Sequence, residues 1–173
     1  MTEKKSQKKT GKRPKRRIRK FFLTLFLISL LGLSLFSAYV YLSLPEVEDL
    51  DKKNPKTTAM IEQRKQEAKE KGEKLTIRHK WVKFKNIPQL LKDTVRISED
   101  AGFYHHKGID YHEVKEAMKR NLKEGRVVRG ASTITQQLAK NLYLSTKRTY
   151  YRKMEEYLIT QRLEKHLSKD RIF

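Results

Sequence analysis

Glu99 and Asp100 stand side by side just before a short segment that supplies Phe103, His106, Gly108 and Asp110. A carboxylate held near a sugar or water hydroxyl can act as a general base, and an aromatic ring, an imidazole and a turn residue are what such a loop would need to hold it. Solvated acids opening a loop are the plainer alternative, because charged side chains are mostly exposed. Farther on, the run from Gly130 through Ser132, Thr133, Thr135, Gln136 and Gln137 to Lys140 and Asn141 is dense in hydroxyls and amides. Such groups bind sugar hydroxyls and phosphate oxygens, and the free N–H groups of a helix start favour anions. A capped helix with a polar face would look the same. Beyond it come Lys147, Arg148, Arg152 and Lys153, then Glu155 and Glu156. They could form a cationic patch for a diphosphate beside a second carboxylate. Arg152 and Glu156 could equally be an ordinary surface pair at i and i+4. The chain has no cysteine, which excludes thiolate nucleophiles, disulfides and Cys-based zinc. The adjacent His105 and His106 read as a feature of the loop rather than a metal site.

The elements around these residues are mainly helical. Pro88 can occupy a first helical turn, and Leu90, Leu91, Thr94, Val95 and Ile97 give an apolar face that ends near Glu99. Glu99 and Asp100 therefore fall at a helix C-terminus, where the macrodipole disfavours acids. Asp110 followed by Glu113 resembles a capping box, with Val114, Ala117, Met118 and Leu122 at helical spacing before Gly125. Ser132 can cap a helix carrying Ile134, Leu138 and Leu142, and a longer helix from about Thr149 carries Met154, Tyr157, Leu158 and Leu167. Residues 75–84 could be a short strand or an extended segment packed on the domain. Residues 45–74, polar and broken at Asn54-Pro55, read as a linker or solvated helix.

The 173 residues allow one modest domain plus an anchor, with a formal net charge of +21. Eleven of the 41 basic residues lie in a tail over residues 1–20. Residues 21–44 then carry no charge and are rich in Leu, Phe and Ile, long enough to cross a bilayer as a helix. Tyr39 and Tyr41 sit near the far end, followed by Glu46, Glu48, Asp49 and Asp51, so the basic side is expected to face the cytoplasm. A cleaved signal peptide fits less well: cleavage after Ala38 would put Phe36 at the −3 position, and cleavage after Ser43 would put Tyr41 there. The basic tail reads as a topology determinant touching anionic lipid rather than a nucleic-acid arm.

Taken in order, three runs carry a resemblance. They are Glu99-Asp100-x-x-Phe103-x-x-His106-x-Gly108-x-Asp110, Gly130-x-Ser132-Thr133-Ile134-Thr135-Gln136-Gln137-x-x-Lys140-Asn141, and Arg152-Lys153-x-x-Glu156. They resemble the first three motifs of the peptidoglycan glycosyltransferases, family 51, and a chain with its own anchor resembles the monofunctional biosynthetic transglycosylases. The resemblance covers residues 81–173. It implies a mainly α, lysozyme-like glycosyltransferase domain over 75–173 lying on the membrane. It also implies polymerisation of lipid II into β-1,4-linked glycan with inversion and release of undecaprenyl diphosphate. In that reading Glu99 is the general base on the acceptor 4-hydroxyl and Glu156 assists at the donor. Ser132, Thr133, Gln136, Gln137, Lys140, Asn141, Arg148, Arg152 and Lys153 hold diphosphate and sugar. No cofactor is required by it, although Mg²⁺ or Mn²⁺ could sit on the substrate diphosphate. The implied location is the outer face of a bacterial cytoplasmic membrane, with lipid II, nascent glycan, membrane lipid and other cell-wall synthesis proteins such as penicillin-binding proteins as partners, and no nucleic acid.

The family's fourth motif begins at Lys169-Asp170-Arg171-Ile172, where the sequence stops at Phe173. The expectation is a domain incomplete at its C-terminal end. An inactive membrane-anchored remnant or adaptor, and a muramidase-like hydrolase, are the competing readings.

Overall fold

The computed structural model describes residues 14–147 and 149–173, in two compact units, one ending at Ser43 and the other running from Leu44 to Phe173. The basic tail as far as residue 13 and Arg148 lie outside the described residues.

The first unit is helix α1, Pro14–Ser43. Its 30 residues extend about 45 Å at 1.5 Å per residue, more than the hydrocarbon core of a bilayer. Phe22, Phe26, Leu30, Leu33 and Phe36 all project outward with more than half their surface exposed. Two of its hydroxyls are turned back onto the helix: Ser37 Oγ donates to Leu33 O at 2.8 Å and Ser43 Oγ to Val40 O at 2.8 Å. These bonds satisfy polar groups that an apolar surrounding would penalise.

The second unit is helical, with no strand among the described residues. A short 3-10 turn, Glu48–Asp51, leads to α2, Ala59–Glu70, whose first turn is capped by Thr58 accepting from Ile61 N. Residues 73–83 run without regular structure and stay exposed, forming no strand; of the apolar residues over 75–84, Phe84 packs edge-on against Phe173 at 5.8 Å and Leu75 and Ile77 lie beside Met60 and Ile61 of α2, while Trp81 and Val82 are more than half exposed. After a 3-10 turn at Phe84–Asn86 come α3, Gln89–Asp100, and α4, Tyr111–Glu124. Then follow α5, Ile134–Tyr143; α6, Tyr150–His166; and the short α7, Lys169–Ile172.

Pro88 stands at the N-cap of α3 rather than inside its first turn. Asp110 caps α4 by accepting from Glu113 N at 2.9 Å. Gly125 ends that helix in the left-handed region, φ +63°, which only glycine enters without a steric penalty. The cap of α5 is Thr133, one residue later than Ser132, because Thr133 and Gln136 form the reciprocal box: Gln136 N donates to Thr133 Oγ1 and Thr133 N to Gln136 Oε1.

The core is built from Phe103, Ala139, Leu144, Ile159, Leu163, Leu167 and Ile172, closed by Val47. On α6 the buried stripe is Glu156, Ile159, Thr160 and Leu163; of the residues expected to face inward, Leu167 is buried in the core and Leu158 half-buried, whereas Met154 and Tyr157 are each about two-fifths exposed. Two polar residues in the true stripe disguise it. The stretch after α1 is tied into this core rather than merely linking to it. Val47 is fully buried, Tyr143 OH donates to Glu46 O at 3.1 Å, and Arg162 bonds Glu48 Oε1 and Leu44 O. Arg171 reaches across to Leu50 O, Lys53 O and Asn54 Oδ1. A fully buried aliphatic side chain such as Val47 contributes about 1.5–3 kcal/mol.

The apolar faces expected on α3 and α4 form, but they do not enter the core. Leu90, Ile97, Met118 and Leu122 are all more than half exposed, and only Ala117 of that set is buried.

Candidate active site

Two neighbouring acids at the end of α3 have opposite fates. Asp100 is buried, and both of its carboxylate oxygens face His106 Nε2, at 2.9 and 3.0 Å. Its Oδ2 also accepts the backbone N–H of Ile134 at 3.1 Å. That N–H belongs to the first residue of α5 and has no partner within the helix, so Asp100 supplies the negative charge that a helix N-terminus favours. A carboxylate that only accepts requires the proton on His106 Nε2; His106 Nδ1 is buried and unpartnered. Glu99, one residue earlier, is exposed, and its Oε2 accepts from Gln137 Nε2 at 2.8 Å. Asp100 is thus structural, whereas Glu99 keeps a carboxylate oxygen facing open space.

That space is a cleft of about 250 Å³ whose walls include Glu99, Asp110, Glu113, Arg129, Ser132 and Thr133. The strap forming one wall is held by α4. Asn121 accepts from Val128 N and Arg129 N and donates to Arg129 O, and the Arg129 guanidinium pairs with Glu113.

A second cleft, of about 300 Å³, is lined by Ser132, Gln136, Gln137, Lys140, Thr146, Arg152, Lys153 and Glu156. It shares Ser132 with the first, and Gln137 on its wall is the residue that bonds Glu99. Glu156 is buried here. Arg152 Nη1 donates to its Oε2 at 2.7 Å, and Lys153 Nζ pairs with its Oε1. The spacings i−4 and i−3 on α6 bring both cations onto this one carboxylate, the first tightly enclosed and the second half exposed. Arg152 Nε remains without a protein partner.

Glu99, Ser132, Gln137, Lys140, Arg152, Lys153 and Glu156 are therefore gathered around two joined clefts. Thr133 and Gln136 line them as well, but their side chains are committed to the α5 cap, and Thr133 Oγ1 also donates to Gly108 O at 2.6 Å. Asn141 lines neither cleft, and its Oδ1 is buried without a partner. Gly108 lets this packing close: its φ is +84°, and a Cβ there would stand 2.7 Å from Thr160 Cγ2. Thr146, Arg129, Glu113 and Asn121 were not signalled by the motifs. Of these, only Glu113 stood out in the sequence, as the capping-box partner of Asp110; its N–H is capped by Asp110, but its carboxylate pairs with Arg129 instead of closing the box.

Asp100, His106 and Asp110 bring potential ligand atoms within 4.8 Å of one another. In the structure these atoms are engaged locally, Asp100 by His106 and Ile134 N and Asp110 Oδ1 by Glu113 N. The second cleft is likewise furnished with cations rather than free carboxylates.

Residues 65–173, which hold this glutamate and both clefts, match the family model described as Transglycosylase, and the chain belongs to that family. Its relatives include proteins named biosynthetic peptidoglycan transglycosylase. The one from Herminiimonas arsenicoxydans is 39% identical over 156 residues, covering 90% of this chain and 66% of that protein. The one from Laribacter hongkongensis is 45% identical over 120 residues, covering 69% and 53%. The chain thus spans between about half and two thirds of the length of these relatives.

Proposed function

We propose that this chain carries the catalytic site of a peptidoglycan glycosyltransferase that polymerises lipid II, with Glu99 as general base. The observation behind this reading is that Glu99 lines one cleft and is bonded to Gln137 on the wall of a second, which is also lined by Lys140, Arg152 and Lys153. The acceptor 4-hydroxyl gives its proton to Glu99 as its oxygen attacks C1 of the donor sugar. The C1–O bond to the lipid diphosphate breaks on the opposite face, and the anomeric centre inverts. The cations stabilise the negative charge that develops on the departing diphosphate. Glu156, with both oxygens engaged, holds Arg152 and Lys153 in place and so acts on the donor through them. A divalent ion would have to be held mainly by the diphosphate, since the cleft offers it no free carboxylate.

Helix α1 would anchor the enzyme in the membrane that holds its lipid substrate, with the tail in the cytoplasm and the catalytic unit outside, among other cell-wall synthesis proteins. The exposed apolar residues of α3 and α4 suit work at a lipid surface. The cation-lined cleft favours a diphosphate leaving group over hydrolysis of a glycosidic bond.

Purified lipid II incubated with the protein in detergent should yield glycan polymer, and Glu99→Gln should lower the rate by about 10²–10⁴-fold, the range expected for loss of a general base. Undiminished polymerisation by Glu99→Gln would remove Glu99 from the mechanism. Digestion of the part after Leu44 by protease added outside spheroplasts tests the topology; protection would reverse it.

A further inference from the structure

The loop between α5 and α6 carries Thr146 into the cation-lined cleft, and it is gripped from outside the three motifs. Gln63, on α2, makes a reciprocal pair with it: Gln63 Nε2 donates to Thr146 Oγ1 at 2.6 Å, and Thr146 N donates to Gln63 Oε1 at 3.1 Å. The amide orientation is fixed twice over. Thr146 N–H needs an acceptor, and Gln63 Nε2 also donates to Glu67 Oε1 at 2.7 Å. That bond, with Arg64 alongside, holds the Glu67 carboxyl below its ordinary range. Because Gln63 donates into Thr146 Oγ1, the hydroxyl cannot turn its own proton toward Gln63. No acceptor for that proton exists among the described residues, so it is available to whatever acceptor enters the cleft.

We propose that Gln63 is a positioning residue for this cleft, setting Thr146 so that its hydroxyl donates to a phosphate oxygen of the bound ligand. The inference rests on the diphosphate reading of the cleft. Gln63 lies 83 positions from Thr146 and in a stretch whose sequence shows no chemistry, so only the fold reveals the connection.

The test uses the full chain in detergent micelles, titrated calorimetrically with farnesyl diphosphate, with farnesol as the control for the lipid tail. A hydrogen bond to a charged group is worth about 1.5–3 kcal/mol, so Thr146→Val should weaken diphosphate binding roughly tenfold or more. Gln63→Leu should weaken it by a similar factor, and the double variant no further than the stronger single one, because the two residues act through one hydroxyl. Thr146→Ser should recover most of the affinity. Melting curves accompany each variant, and titrations are made well below the lowest melting temperature, so that a purely structural Gln63 would shift melting and leave affinity alone. Wild-type affinity in Gln63→Leu, or losses that multiply in the double variant, would overturn the proposal while leaving the diphosphate site standing. A wild-type chain that binds farnesyl diphosphate no better than farnesol would overturn the diphosphate reading itself.

Discussion

Asp100 and Glu99 differ by one methylene and one sequence position, yet α5 separates their roles. Asp100 is enclosed by His106 and the first N–H of α5, so Asp100→Asn should lower stability by about 1–3 kcal/mol through loss of a charge-assisted contact at a helix start, read as a fall in melting temperature. Gln137→Leu is the complementary experiment. It removes the hydrogen bond from Gln137 to Glu99 and should reduce glycan polymerisation roughly tenfold with little change in melting temperature. An unchanged rate would mean that Glu99 is oriented without Gln137. The sequence distinguishes Glu99 from Asp100 only through the family resemblance, because the N–H of Ile134 that donates to Asp100 is 34 residues away and leaves no local mark.

Among the elements, legibility followed the number of local signals. The Asp110 cap and the Gly125 stop of α4 were readable because both act within one turn. The cap of α5 was misplaced by one residue, since Ser132 and Thr133 are chemically alike and only the reciprocal bonds with Gln136 choose between them. The inward stripe of α6 is legible at Leu167 but not at Glu156 and Thr160, which are buried by partners the sequence does not reveal: two cations for the first, and Glu156 O, which accepts from Thr160 Oγ1 at 2.7 Å, for the second. Residues 45–54 read as part of a linker because their anchors, Arg162 and Arg171, lie more than a hundred residues away. Val47→Ala should accordingly cost roughly 1–3 kcal/mol in chemical denaturation, as a core residue would, whereas a linker residue would cost almost nothing.

For the molecule as a whole, charge and hydropathy were legible and packing was not. The apolar periodicity of α3 and α4 correctly gave helices, but periodicity cannot say whether an apolar face meets protein or lipid. Their exposed residues give α3 two unlike ends. Near its start Leu90 is about four-fifths exposed, while its last residue, Asp100, is bonded to His106 and to α5. Glu99, at that same end, is held by Gln137 of α5. The position of the Glu99 carboxylate, the proposed general base, is therefore referenced to α5 and only nominally to the helix that carries it. If lipid tilts or lifts α3, the motion is that of a hinged arm turning about Asp100, and the carboxylate beside the pivot scarcely moves. Amide hydrogen exchange in bilayer discs should then show slow exchange at Ile134 and the last turn of α3, with faster exchange toward its first turn; uniform exchange along α3 would argue against the hinge.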